Sequence, residues 1–433
     1  MKNKNTINHS VSSKLFRRGF FISLIISTIL ILDSCVDFEE PGTIYESSYP
    51  ETNNSSITEI TPAGEALGGV REIRISGQNL GVKNGSDSDW VYIGGRRAVI
   101  KEIIGNETIV VHRPQLANSN YDTKIYISVT APNAIDTSSN IEYVVESPGE
   151  VVGDYGNVFS ELMALDFDNQ ENIYIVSNRA VYRNDPLGIS FSQILTTLNL
   201  PVAYRRITDA RFGPGTPGLN LYTANGTNII NSVRVDTAST STRPIAVDTL
   251  PAPVIKLEFN ENGDLYAGGN DGIFLVNGGP QSLGFAGLNI KTIRIFNGYM
   301  YVADSLNVWK SPISSDGSLG VSEPLVNISG NPDLSGCLIS SIELDIDGSI
   351  YICLRNHSQY SLFFRESDGS ITPYYYDQNI LPRTVEQLTF GRDGHLYLIS
   401  SSLRVGTQWQ AGRVFRMNLN RNGAPYYGRQ FLN

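Results

Sequence analysis

Between residues 150 and 433 the sequence repeats one pattern six times. Each copy has an apolar run, a short turn rich in Asp, Asn or Gly, and a second apolar run that contains a tyrosine. The tyrosines that mark the second run are Tyr174, Tyr222, Tyr266, Tyr301, Tyr351 and Tyr397. Successive tyrosines are roughly 35 to 50 residues apart, which is the spacing of one structural unit in repeat proteins.

A repeat of this length with several strands in each unit predicts a β-propeller, in which small antiparallel sheets surround a central axis. Six copies predict six blades within residues 150–433. An outer strand of the last blade comes either from 426–431 or from the other end of the repeat region, at 151–159. The copies resemble those of NHL-type and gluconolactonase-like six-bladed propellers. That resemblance implies the architecture and little about activity, because propellers host many functions.

The turns of the repeat contain acidic residues, as at 166–169 and 345–348. Neither run continues to the glutamate at position 12 that an EF-hand calcium loop requires. Tight hairpins favour Asn-Gly and Asp-Gly pairs, because these residues accept a positive φ. We therefore interpret the acidic residues as turn formers and predict no metal ligands among them.

Residues 57–146 contain short segments of alternating apolar and polar residues, separated by Gly, Asn and Pro. Such segments, about ten residues apart, predict an Ig-like β-sandwich. The run 73–81, Ile-Arg-Ile-Ser-Gly-Gln-Asn-Leu-Gly, resembles the central motif of the IPT/TIG family, and 57–62 resembles its first strand. Gly81 and Asn79 are expected to form the turn, Gly by a positive φ and Asn by bonding its own backbone. The resemblance implies a spacer or interaction module. The predicted fold class is all-β, an Ig-like sandwich followed by a six-bladed propeller.

The first 34 residues resemble a bacterial lipoprotein signal peptide. Basic residues precede an uncharged apolar run at 19–32, shorter than the ~20 residues of a membrane-spanning helix. The run ends in Leu-Asp-Ser-Cys, which resembles a lipobox and implies that Cys35 is lipidated; an uncleaved anchor is the alternative. Residues 35–56 predict a flexible tether. Acidic residues just after Cys35 resemble the surface-export signal of Bacteroidetes lipoproteins, which implies an outer-membrane protein at the cell surface.

The formal net charge of -10 argues against a nucleic-acid partner, which requires a basic surface. Cys337 and Cys353 flank one predicted hairpin, whose register pairs Cys353 with a residue near 342, so both are predicted to be buried free thiols. The sequence has neither the H-E-x-x-H spacing of a zinc protease nor a G-x-S-x-G nucleophile elbow. We predict no catalytic residues, no bound metal and no cofactor.

Propeller ligands usually lie at the central opening, on the face formed by the loops before the first strand and after the second strand of each blade. Arginines and acidic residues near aromatics suit a hydroxylated or anionic ligand, because they pair hydrogen bonds with it. The aromatics that are candidates for stacking on sugars, or alternatively for packing the core, are Trp90, Trp309, Trp409 and 374–376. The candidate ligand-binding residues are Arg205, Arg206, Asn225, Asn270, Asp271, Asp304, Arg355, His357, Arg383 and Glu386.

The layout as a whole resembles the auxiliary nutrient-binding lipoproteins that accompany starch-utilisation-type uptake systems in Bacteroidetes. This resemblance implies a non-catalytic surface protein that binds a glycan or another small nutrient for an outer-membrane transporter. One alternative is a propeller enzyme, a metal-dependent lactonase, hydrolase or lyase, with a divalent cation such as calcium held by residues such as Glu161, Asn225 and Asp304. The other alternative is a platform for docking proteins.

Overall fold

A computed structural model describes residues 54–81, 89–130, 140–152, 162–168, 170–177, 180–185, 191–196, 207–215, 218–235, 245–375, 381, 384–391, 393–400, 403–405, 408–410 and 412–425. Its regular elements are β-strands, joined by short loops and by 3-10 turns at Asn118–Asn120 and Pro332–Leu334. The predicted all-β class is confirmed. None of the helical segments described there has the length and apolar character to span a membrane. The predicted signal peptide, Cys35 and nearly all of the predicted tether lie outside the described residues.

The first part of the described chain is a sandwich of two sheets. One sheet has the order β1-β3-β7-β6 and the other β2-β9-β8-β4-β5. The strands are β1 (Ser56–Thr61), β2 (Glu65–Ala66), β3 (Glu72–Gln78), β4 (Trp90–Ile93), β5 (Arg96–Arg97), β6 (Ile100–Ile104), β7 (Thr108–His112), β8 (Lys124–Thr130) and β9 (Ile141–Val145).

The sandwich core follows from the period-2 pattern, because alternate residues of a strand face opposite sides of its sheet. In β3, Ile73 and Ile75 are fully buried while Arg74 between them is exposed. Asn79 and Gly81 both have positive φ, at 53° and 76°, as a turn requires. The Asn79 amide, however, donates to the backbone oxygen of Asn54 at 3.3 Å rather than to its own backbone.

The second part of the described chain consists of six four-stranded antiparallel sheets, which confirms the six predicted blades. Blade 1 is β11 (Leu162–Phe167), β12 (Ile173–Ser177), β13 (Ala180–Asn184) and β14 (Phe191–Thr196). Blade 2 is β15 (Asp209–Gly215), β16 (Gly218–Ala224), β17 (Ile229–Arg234) and β18 (Ile245–Thr249). Blade 3 is β19 (Val254–Phe259), β20 (Leu265–Gly269), β21 (Gly272–Leu275) and β22 (Gln281–Gly284).

Blade 4 is β23 (Thr292–Phe296), β24 (Tyr299–Ala303), β25 (Asn307–Pro312) and β26 (Glu323–Asn327). Blade 5 is β27 (Leu338–Leu344), β28 (Ile350–Arg355), β29 (Leu362–Arg365) and β30 (Ile371–Pro373). Blade 6 contains β31 (Val385–Phe390), β32 (His395–Ser400) and β35 (Arg413–Asn418), with the hairpin β33 (Leu403–Val405) and β34 (Gln408–Gln410) between the last two. The first strands of consecutive blades contact one another, and β31 contacts β11, so the ring is closed.

The outermost strand of blade 6 comes from the start of the repeat region. Strand β10 (Glu150–Val151) pairs antiparallel with β35, and Arg416 donates to the Glu150 carboxylate at 2.6 Å. Of the two predicted sources of this strand, the structure thus uses the N-terminal one. Residues 426–431, the other source, lie outside the described part of the chain.

In three blades, the structure explains why the second strand contains a tyrosine. The Tyr351 hydroxyl donates to Asp345 at 3.2 Å, and the Asp345 carboxylate also accepts the backbone N–H of Ser349. The same arrangement joins Tyr174 to Asp168 and Tyr397 to Asp393. The acidic turn residues therefore stabilise the hairpins, as the turn interpretation predicts.

The two remaining cysteines are free and buried, as predicted. Cys353 lies opposite Ser341 in the β27–β28 ladder, one residue away from the predicted partner and far from Cys337 in register. Burial raises the pKa of both thiols, which keeps them protonated.

The sandwich packs against blades 5 and 6 through the loop that contains Gly68 and Gly69. The Tyr374 hydroxyl donates to the Gly69 oxygen at 2.7 Å, and the Tyr375 hydroxyl donates to the Gly68 oxygen. A Cβ on Gly69 would lie 2.6 Å from the Cα of Leu419, so only glycine allows this approach. The glycine pair therefore serves the contact between the two domains.

Candidate functional site

Buried polar residues, one from each blade, form a ring around the axis of the propeller. The first strand of every blade carries one of them, directly before the apolar residue near the end of that strand. We call this ring the belt, and each member has at most 4% of its surface exposed. Its members, in blade order, are Asp166, Arg211, Glu258, Arg294, Glu343 and Thr389.

The charges of the belt alternate in sign from blade 1 to blade 5, so neighbouring members attract. Arg294 donates to Glu258 at 2.6 Å and to Glu343 at 2.7 Å, while Arg211 lies 3.7 Å from the Glu258 carboxylate. Burial raises the pKa of Glu258, against the opposing effect of both arginines.

Backbone contacts join the belt to blade 6 and link its members in blades 1 and 2. Arg294 also donates to the Leu388 oxygen of blade 6 at 3.1 Å, and Asp166 accepts the Phe212 N–H at 2.8 Å. The belt thus joins the blades and fills the centre of the ring with paired charges.

The opposite end of the same strands forms an opening that we call the mouth. It contains an ion pair between Arg355, at the end of β28, and Glu386, near the start of β31. The Arg355 side chain is 47% exposed and that of Glu386 19%. Deeper in the mouth, the Lys256 Nζ lies 3.8 Å from a carboxylate oxygen of the buried Asp209.

The cations of the mouth are held close together in a poorly hydrated place. Burial lowers the pKa of Lys256, Asp209 opposes this, and nearby cations including Arg355 lower it further. Burial and Arg355 also lower the pKa of Lys291, which directly precedes β23. A molecule entering the mouth meets fixed donors and fixed acceptors side by side, which suits groups that both donate and accept hydrogen bonds.

Three predicted ligand residues use their side chains within their own turns. Asp304 accepts the backbone N–H of Leu306 and that of Asn307, each at 2.7 Å. The Asn225 oxygen accepts from the Thr227 hydroxyl at 2.6 Å. The His357 ring accepts two backbone N–H groups and stacks on Tyr360, and burial lowers its pKa. These side chains shape the rim of the mouth.

Two other predicted residues, Asn270 and Asp271, are exposed at the tip of the turn between β20 and β21. Arg205, Arg206 and Arg383 lie outside the described residues. Of the ten predicted ligand residues, the structure therefore brings Arg355 and Glu386 into direct contact at the mouth.

The aromatic candidates lie in different places. Tyr374 and Tyr375 are buried in the contact between the sandwich and the propeller, and Trp309 packs near Phe285. Trp90 lies on the sandwich, 47% exposed, with the Arg97 guanidinium 4.9 Å from its ring centre. Tyr376 lies outside the described residues, and Trp409 is in the β33–β34 hairpin.

The metal-dependent alternative depends on Glu161, which lies outside the described residues, and on Asn225 and Asp304, whose side chains are engaged in turns. Within the described ranges, no group of three or more His, Cys, Asp or Glu side chains is placed to hold a metal ion.

The belt, Lys256, Lys291 and Asp209 are absent from the sequence-based candidates. The repeat does contain a signal for the belt, since five of the six copies have a charged residue at the same position before the apolar end of the first strand. In a strand exposed on one side, such residues would face solvent. Here they face the axis of a closed ring.

The described fold is similar to several solved structures. One is the extracellular domain of a protein described as a hybrid two-component system from B. thetaiotaomicron, with 12% identity and a TM-score of 0.41. That match covers 62% of this chain and 39% of the other, so the chain spans well under half of that structure's length. Another is a gluconolactonase from Xanthomonas campestris, with 12% identity, a TM-score of 0.43, and coverage of 60% and 87%. A protein from Lactobacillus plantarum has 10% identity, a TM-score of 0.42, and coverage of 75% and 98%.

No curated protein matches the chain. The family model described as "IPT/TIG domain" matches residues 55–147, the region in which the structure has the sandwich. Residues 55–147 are therefore an IPT/TIG domain, and a six-bladed propeller follows it.

Proposed function

We propose that the protein is a lipid-anchored envelope protein that binds a glycan or another hydroxylated nutrient at the mouth of its propeller and passes it on unchanged to an outer-membrane transporter. The observation that carries this proposal is the Arg355–Glu386 ion pair. It joins blades 5 and 6 at the mouth while leaving much of the arginine exposed.

The chemistry of this pair supports a hydroxylated ligand. Arg355 offers several N–H donors in a fixed plane, and Glu386 offers carboxylate acceptors beside them. A sugar hydroxyl donates and accepts at once, so two adjacent hydroxyls can satisfy both partners without separating the charges. Lys256 and Asp209 present a second donor and acceptor pair deeper in the mouth.

The envelope location rests on the resemblance of residues 1–35 to a lipoprotein signal with its lipid-accepting Cys35. Mass spectrometry of the mature protein from membranes tests it, because the proposal requires a diacylglyceryl or triacyl modification on Cys35 and loss of residues 1–34. An unmodified N terminus that still includes the leader would contradict this part of the proposal.

Binding is tested by calorimetry of the purified chain against a panel of neutral and acidic oligosaccharides. The paired substitutions Arg355→Ala and Glu386→Gln should weaken binding at least tenfold. The matched control is Lys124→Ala with Glu142→Ala, an exposed pair on the sandwich whose charges are 2.8 Å apart. If the Arg355/Glu386 variant binds as tightly as the Lys124/Glu142 control does, the ligand binds elsewhere. Stoichiometric divalent metal together with lactone hydrolysis would instead favour the enzyme alternative.

A further inference from the structure

We infer that the protein has a second ligand site, in a cleft between the IPT/TIG domain and blades 5 and 6, and that this site takes a neutral sugar ring. The cleft has a volume of about 400 Å³. This lies within the range of roughly 300 to 1,000 Å³ for small-molecule sites, which occur preferentially at domain interfaces. The residues that line the cleft include Val70, Arg71, Glu72, Lys101, Phe364, Glu366, Leu419 and Arg421.

The cleft is separate from the mouth. Tyr351, at the beginning of β28, lines the cleft, whereas Arg355 ends the same strand at the mouth. The two sites therefore lie at opposite ends of blade 5, and the cleft does not depend on ligand binding at the mouth.

The cations of the cleft all face carboxylates. Arg71 lies 2.6 Å from Glu366, and Lys101 lies 2.6 Å from Glu72. Arg421 lies 2.9 Å from Asp345, which is completely buried. An anionic ligand would have to displace one of these carboxylates, and a cationic ligand would have to displace one of the cations. A neutral hydroxylated ligand can bond to both members of a pair and leave it intact.

The walls between these pairs are apolar. Val70 comes from the sandwich, Phe364 from blade 5 and Leu419 from the segment after β35. The Arg71 guanidinium lies over the Phe364 ring, 4.6 Å from its centre, so a fixed charged group and apolar surface are side by side in the cleft. A pyranose ring has the same division, with C–H groups on its faces and hydroxyls at its edges, and can therefore satisfy both kinds of surface.

The cleft is held in shape before any ligand arrives. Arg71 donates to the Thr372 hydroxyl at 2.9 Å and to the backbone oxygen of Tyr374 at 3.2 Å, so one side chain bonds the sandwich to blade 5. The Gly68–Gly69 loop is bonded to the tyrosines of the same blade. A rigid cleft reduces the entropy that binding would otherwise cost.

The test uses the full chain and calorimetric titration with glucose, galactose, mannose, maltose and cellobiose, with glucuronate as the charged counterpart of glucose. The cleft variant is Lys101→Ala with Glu72→Ala, whose pair lies at the partly exposed rim and makes no bond between the domains. The matched control is the exposed pair Lys124 and Glu142 of the same sandwich, both changed to alanine. The mouth variant, Arg355→Ala with Glu386→Gln, separates the two sites.

We expect at least one neutral sugar to bind, and its dissociation constant to rise at least tenfold in the cleft variant. The control variant should keep the affinity of the unaltered protein. Because the proposed function places a ligand at the mouth, the mouth variant serves as a background in which only the cleft remains. A neutral sugar should still bind to that variant, more tightly than glucuronate does, and adding the cleft substitutions should raise its dissociation constant at least tenfold. The inference is overturned if no neutral sugar binds to the mouth variant, if glucuronate binds to that variant more tightly than glucose does, or if adding the cleft substitutions leaves its affinity unchanged. Loss of binding in the mouth variant would still leave the proposed function intact.

Discussion

Replacing Arg294 by methionine removes the guanidinium that joins the two buried glutamates of the belt. Glu258 is 3% exposed and Glu343 is completely buried, so water cannot replace the lost partner. Glu258 keeps Arg211 at 3.7 Å, and Glu343 keeps the backbone N–H of Leu344. Methionine fills a similar volume, so the main effect is electrostatic rather than a cavity.

The magnitude follows from the burial of these charges. Breaking a buried ion pair by removing one partner costs about 3–5 kcal/mol, because the remaining charge stays desolvated. We expect the free energy of unfolding to fall by about 4 kcal/mol. At about 2 °C for each kcal/mol in a domain of this size, the midpoint of thermal unfolding should fall by roughly 8 °C.

The assay is thermal unfolding followed by circular dichroism, with Lys124→Met as the control. Lys124 also pairs with a glutamate, but both side chains are more than half exposed, so its loss should have no measurable effect. In the Arg294→Met background, Glu343→Gln should raise the midpoint, because it removes a buried charge that has lost the Arg294 guanidinium. The reasoning is refuted if Arg294→Met behaves like the control, or if Glu343→Gln lowers the midpoint further.

Three further predictions concern the domain contact, the turns and pH. Gly69→Ala should make the linker between the domains sensitive to limited proteolysis, because its Cβ would lie 2.6 Å from a propeller backbone carbon, whereas Gly330→Ala, with no atom within 4 Å, should not. Tyr351→Phe should reduce the free energy of unfolding measured in urea by about 1 kcal/mol through the lost bond to Asp345. Burial lowers the pKa of His395, but Asp393, whose carboxylate lies 3.1 Å from the ring, outweighs this effect, and the pKa is raised. The stabilisation that His395 gives to the folded state is therefore complete below the pKa of the unfolded histidine and is lost as pH rises through the pKa of the folded one. His395→Gln should accordingly lower the thermal midpoint more at about pH 5.5 than at about pH 8.5, and an equal effect at both would contradict the assignment.

The blades could be predicted from the sequence because each copy contains its own local instructions. A turn with Asp, Asn or Gly and the following tyrosine lie within about ten residues of each other in every copy. In blades 1, 5 and 6 an aspartate of that turn also accepts a hydrogen bond from the tyrosine. The two residues of the β10 strand were harder to assign, since a strand this short has no period of its own. Both ends of the repeat region offered candidates, and pairing with β35 decides between them.

The belt and the cleft could not be predicted, because their contacts join distant parts of the chain. Arg294 meets Glu258 and Glu343 from neighbouring blades, and only ring closure brings the three together. In the sequence, Gly68 and Gly69 resemble any other glycine break between two strands. Leu419, which makes glycine necessary at position 69, lies at the other end of the described chain.

The closure of blade 6 has a consequence for the order in which the chain folds. Its outermost strand is made early in synthesis, while the partner strand is made 266 residues later, as the separation of the Glu150 and Arg416 pair shows. Until β35 has been synthesised, the first five blades cannot close into a ring, and strand β10 has no partner. Contacts between residues so far apart in sequence form slowly, and exposed strand edges favour aggregation during the delay. The IPT/TIG domain, whose strands are mostly close in sequence, can fold first and hold Glu150 near the place where the ring will close.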